Sequence, residues 1–165
     1  MNMWVLAASY WVHLLATAVW LGGMALLTFI AWPALRSGTL ATNQWLALQK
    51  RFLPWANGSL VLLLITGFVQ MTNDRNYHGF LTIDGVWAGA ILLKHIAFGA
   101  MVLISGYVQV SLYPAMNRTS LLLEKRPALA EAEQAALQQK EIRMLRLNLA
   151  CAMAVLLCTA VATAV

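Results

Sequence analysis

Four apolar stretches dominate the chain, and its polar positions gather in the gaps between them. The stretches cover about 4–30, 55–71, 86–112 and 145–165. Each reaches the ~17–25 residues that a helix needs to cross a ~30 Å hydrocarbon core. Helices are expected because backbone groups in lipid must be satisfied within their own segment. The pattern therefore predicts an all-α, integral membrane four-helix bundle, with residues 1–165 forming a single transmembrane domain. Between the third and fourth stretches, Pro127 suits the first position of a helix, and ALAEAEQAALQQKEIRMLRLNL consists of strong helix formers. A helical stalk is expected there, over about 127–144. It either lies along the membrane or a partner, or acts as a solvated connector. The two halves of the chain show no defensible repeat.

Composition agrees with lipid as the solvent. The chain is 61% hydrophobic and 10% charged, with a mean hydropathy of +0.71, where a soluble domain carries about a quarter charged residues. The opening segment has no basic n-region and is long enough to remain in the membrane, so no cleavable signal peptide is expected. The net charge of +5 does not point to nucleic acid, because the charges sit in the gaps between spans. Cys151 and Cys158 share one face of the last span and are read as packing or lipid-facing residues.

Charge placement sets an expected direction. The first loop carries Arg36, Lys50 and Arg51, and the third carries Arg118, Lys125, Arg126, Lys140 and Arg143, with Arg146 at the helix entrance. The second loop has only Arg75, against Asp74 and Asp84. By the positive-inside rule the first and third loops face the cytoplasm, which leaves both termini outside. The expected location is a bacterial-type cytoplasmic (inner) membrane.

Ionisable side chains at membrane depth are costly and usually mark a site. They are His13 on the first helix and Lys94 with His95 on the third. His13 lies nine residues past Trp4, and His95 eight past Trp87. Tryptophan marks the interface, so at 1.5 Å per residue both imidazoles lie roughly 12–14 Å deep. Two imidazoles at one depth on parallel helices suit a shared metal; the alternative is that each merely hydrogen-bonds a neighbouring helix. His95, Gly99, Val102 and Gly106 form one stripe with a shallow groove, and His13, Thr17, Trp20 and Met24 form another. Two axial imidazoles would suit a low-spin haem, while Met24 and Met101 offer thioethers to copper. Lys94 would neutralise a propionate, ligate iron or bind an anion. Gly22 and Gly23 are expected to allow close helix contact. Asp74, Tyr77, His78 and Asp84 in the second loop are read as a solvated turn, with surface metal capture as the alternative.

The segments WVHLLATAVWLGGM, RFLPWANGSLVLLLITGF and GVWAGAILLKHIAFGAMVLISGY resemble the first three helices of the copper resistance protein D (CopD) domain. Lys94 stands at that family's L-x-K position. The resemblance implies copper transport or resistance. The plan is also similar to HemJ-type protoporphyrinogen oxidases, in which a first-helix His and a third-helix Lys act and haem b is bound. His13 and Lys94 occupy comparable places. The HemJ third helix reads W-x-H-x-K, whereas here Trp87 and Lys94 are seven apart and the histidine follows the lysine. That departure weighs against the oxidase activity more than against haem.

The leading expectation is a CopD-like protein holding haem b between His13 and His95, near Lys94, Trp20, Gly99 and Gly106. It would transfer electrons between a quinol and a partner protein, as a subunit of a larger complex. The rivals are copper transport through His13, Met24 and Met101, and a structural membrane subunit without a cofactor.

Overall fold

In a computed structural model, residues 2–77, 79, 85–125 and 127–165 are described, with side-chain surroundings for all of these except 123–125 and 127–129. The chain forms four long rods. The first, α1, is α-helical over Met3–Ala25, passes through a π-helical turn at Leu26–Ala31, and resumes over Trp32–Arg36. The second, α2, runs over Thr42–Thr72. The third, α3, is α-helical over Gly85–Tyr107, π-helical over Val108–Leu112 and α-helical again over Tyr113–Lys125. The fourth, α4, spans Pro127–Ala164. All four are long and apolar enough to cross a membrane, and among the described residues there is no strand. The protein is an all-helical, membrane-spanning bundle.

Both π turns have a common cause. Pro33 and Pro114 lack an N–H, and a proline ring crowds the carbonyl four residues back. A local widening to π geometry just ahead of each lets the rod continue. Pro33 follows His13 by twenty residues, and Pro114 follows Lys94 by the same twenty. The two parallel rods thus share a plan that apolar pattern alone does not reveal.

The rods outrun the apolar stretches inside them. The gap expected between the first two spans is a tight turn: Gly38 adopts φ +76°, a left-handed conformation that costs glycine nothing. The Leu40 N–H then reaches back to the Ala34 carbonyl at 2.9 Å. At the other side of the bundle α4 continues unbroken from Pro127. Its 38 residues make roughly 57 Å of helix, nearly twice the hydrocarbon thickness. The segment expected as a stalk is packed: Ala130, Gln134, Glu141 and Ile142 are buried, against the last part of α3 and the start of α2.

Successive rods run in opposite directions, so both termini lie at one end. Interhelical polar contacts fix that register. Gln70 of α2 donates to the Ser9 carbonyl of α1 at 3.4 Å, and Asn148 of α4 donates to Ser105 Oγ of α3 at 3.0 Å. Midway along the bundle, the amides of Asn57 and Gln109 exchange two hydrogen bonds, at 3.0 and 2.8 Å. The apolar core joins Trp20, Met24, Trp45, Leu60, Met101 and Ile142, while Trp4, Leu14, Leu103, Val110 and Leu157 point outward, as lipid contact requires. Gly23 admits the Phe52 ring, which a methyl group would strike; Gly22 faces open space.

Candidate functional site

Residues from all four helices line a mostly apolar cavity of about 240 Å³. Tyr10, Asp74, Trp87 and Thr163 line it towards the end of the bundle that holds the termini, and Trp20, Met101 and Ala152 line its deepest part. His13 enters from α1, and Lys94 and His95 from α3. The two imidazoles that sequence depth paired therefore face one space.

Each imidazole is held by its Nδ1 atom. At His13, Nδ1 lies 2.7 Å from Thr66 Oγ1. The single Thr66 hydroxyl proton is directed to the Leu62 carbonyl at 2.6 Å, so Thr66 Oγ1 accepts and His13 Nδ1–H donates. At His95, Nδ1 lies 2.7 Å from the Ile91 carbonyl, which can only accept, so Nδ1–H again donates. Both Nε2 atoms are left with a free lone pair, the tautomer that a metal ligand needs. Position on α2 completes the mounting. The His13 ring rests beside Gly67, where an added Cβ would lie 3.7 Å from its Cε1. The His95 ring tilts against Phe68, with centroids 5.7 Å apart.

Lys94 is half-buried in the same wall and makes no hydrogen bond or ion pair among the described residues. Met101, 2% exposed, brings a thioether to the floor of the cavity. Several expected residues stand elsewhere. Gly99 and Gly106 do not line the cavity, and an added Cβ at either meets open space. The reason is helical phase: Ile91, Lys94, Phe98 and Met101 turn α3's i, i+3/i+4 face to the cavity, leaving the two glycines on another face. Met24 is buried one layer deeper, in a separate small cavity. Of the second loop, Asp74 lines the mouth, while His78 and Asp84 lie outside the described residues. Cys151 and Cys158 are free thiols.

At the opposite end lies a polar cluster that hydropathy did not flag. Glu141 of α4 is 0% exposed. The Trp45 indole N–H donates to its Oε2 at 3.0 Å, and the Gln49 amide donates to its Oε1. In the sequence Glu141 reads as one more charge in the run KEIR. The available signal was Trp45 and Gln49, four apart on one helical face and pointing at a common partner.

Among the described residues, no three His, Cys, Asp or Glu side chains converge to hold a metal ion. The chain offers instead two imidazoles and a thioether around one gap. The expected haem finds no support in this arrangement, because the glycines expected to make a flat groove stand off the cavity.

Fold and site together define a four-helix membrane protein with an imidazole-lined cavity opening at one end. The chain belongs to the copper resistance protein D family, whose sequence model matches residues 46–162. That match contains Lys94, His95, Met101 and Glu141 but begins inside α2, so His13 and Trp20 lie outside it. No curated protein and no solved structure matches the chain.

Proposed function

We propose that this protein passes copper, as Cu(I), across the cytoplasmic membrane, and that His13, His95 and Met101 receive it in the cavity. One observation carries the reading: two imidazoles on different helices each donate Nδ1–H within the protein and turn toward one cavity with Nε2 free. Imidazole is a good copper ligand, and a thioether favours the Cu(I) state. So sparse a donor set suits an ion that must leave again rather than one held as a fixed cofactor.

Charge gives the direction. Among the described residues, Arg36, Lys50, Arg51, Arg118, Lys140, Arg143 and Arg146 belong to the end opposite the termini, and only Arg75 and the cavity-lining Lys94 lie at the cavity end. The positive-inside rule then sets the basic end in the cytoplasm and the cavity mouth outside. Lys94 would repel a bare cation, so its ammonium keeps the bound ion weakly held and draws an accompanying anion into the mouth.

The test is Cu(I) entry into proteoliposomes containing a trapped Cu(I) chelator. Wild-type protein is expected to load the chelator faster than empty vesicles, and His13→Ala or His95→Ala to abolish most of the difference. Equal loading with and without protein, or full activity in both variants, sinks the reading. An absorption spectrum of the purified protein guards the other flank. A Soret band lost in His13→Ala would replace copper passage with haem-based electron transfer.

A further inference from the structure

Below the main cavity lies a second, of about 40 Å³, lined in part by Trp20, Met24, Ser105, Tyr113, Met144 and Asn148. That is room for about one water molecule, ~30 Å³ in the liquid, and ample for one small ion. Asn148 is 3% exposed. Its amide N–H donates to Ser105 Oγ at 3.0 Å, while its Oδ1 is buried without a hydrogen-bond partner. An orphaned acceptor of this kind costs roughly 1–3 kcal/mol, and such groups in a native fold call for an occupant. Two thioethers line the same space, Met24 from α1 and Met144 from α4.

From these groups we infer a second Cu(I) site, formed by Met24, Met144 and Asn148 Oδ1. A soft, polarisable cation is the occupant that thioethers select, and the open amide oxygen completes its shell. Water would satisfy Asn148 but gains little from sulfur, a weak acceptor. Trp20, 2% exposed, lines both cavities and forms the partition between them. The ion's route runs from imidazole nitrogen, past this indole, to sulfur. The inference rests on the copper reading above.

The experiment is anaerobic Cu(I) titration of the full-length protein in lipid nanodiscs, against a chromogenic chelator. Wild type is expected to bind two equivalents. Met24→Leu/Met144→Leu, a volume-conserving change, should bind one. His13→Ala/His95→Ala should also bind one, and X-ray absorption of that complex should show sulfur and no imidazole scattering. Asn148→Ala is a second variant, expected to weaken the deeper equivalent at least tenfold while leaving the other unchanged. One equivalent in wild type, lost with the histidines and untouched by the methionine changes, means that the small cavity holds only water; the second site then falls and copper passage stands. Two equivalents retained in Met24→Leu/Met144→Leu overturns the site equally. No Cu(I) binding by wild type overturns both readings.

Discussion

Lys94 and Glu141 are both charged residues turned into the bundle, yet the protein treats them in opposite ways. Glu141 is wholly enclosed and held by Trp45 and Gln49. Lys94 sits in the wall of an open cavity with no partner among the described residues. A buried polar group that is fully bonded ties elements together, whereas one left unpaired strains the fold and is tolerated where a ligand is handled. Glu141 therefore ties α2 to α4. The Lys94 end, where both imidazoles line the same cavity, holds the candidate site.

The strongest way to break this contrast is to attack the Glu141 end. Trp45 is 0% exposed, meets Trp32 edge to face with centroids 6.1 Å apart, and donates to Glu141. Trp45→Ala opens a cavity and leaves Glu141 short of a donor. The expected loss is about 3–5 kcal/mol, read as unfolding of purified protein in lipid or detergent. A loss below ~1 kcal/mol would show that this end is not the clamp.

Lys94→Met should move stability the other way. A lysine at the centre of a membrane helix costs about 2.5–3.5 kcal/mol on insertion scales, and Met is of similar length without the charge. The variant is expected to gain about 1–3 kcal/mol in the same assay. It should also bind Cu(I) several-fold more tightly, since a repelling charge is gone. Weaker Cu(I) binding would mean that the ammonium serves the site in some other way.

The two ends also differ in how far sequence reveals them. Hydropathy finds the four spans because lipid imposes both apolar composition and minimum length. It understates the rods because it registers lipid thickness, not helix length. Beyond the bilayer α2 and α4 continue by packing on each other through Trp45, Gln49 and Glu141, whose residue types look solvated. At the cavity end, the distances from Trp4 and Trp87 predict a similar depth for His13 and His95, since helical rise is constant, and both residues line the cavity. Which face of α3 lines the cavity was not legible: Gly99 and Gly106 share a stripe with His95, but the open space follows Lys94, Phe98 and Met101. Thr66 was invisible because threonine is common in apolar helices, and only the fold sets it against His13.

Thr66 supplies a finer test of the cavity end. Thr66→Val keeps shape and removes the acceptor that holds His13 Nδ1–H. Loss of such a partner typically lowers metal affinity 10–100-fold. That drop should appear in Cu(I) titration, with a stability change under about 1 kcal/mol. His13→Ala should lower affinity further. If Thr66→Val binds Cu(I) as tightly as wild type, the tautomer of His13 is not set by this contact.

The smallest effect is expected where the two halves meet. Asn57 and Gln109 satisfy each other through two amide hydrogen bonds on a face that looks outward, towards lipid. Replacing either alone leaves an unpaired amide, whereas replacing both with leucine leaves none. The double variant should therefore be more stable than the two single losses added together predict. Interhelical hydrogen bonds in membranes couple by about 0.6 kcal/mol on average and ~1.7 at most, and this doubly bonded pair belongs at the upper end of that range. A four-protein unfolding cycle measures it directly. Zero coupling would mean that the amides find other partners when separated. The cost of an unpaired polar group would then be local to the Glu141 end, and pairing would no longer explain why Lys94 and Glu141 are treated so differently.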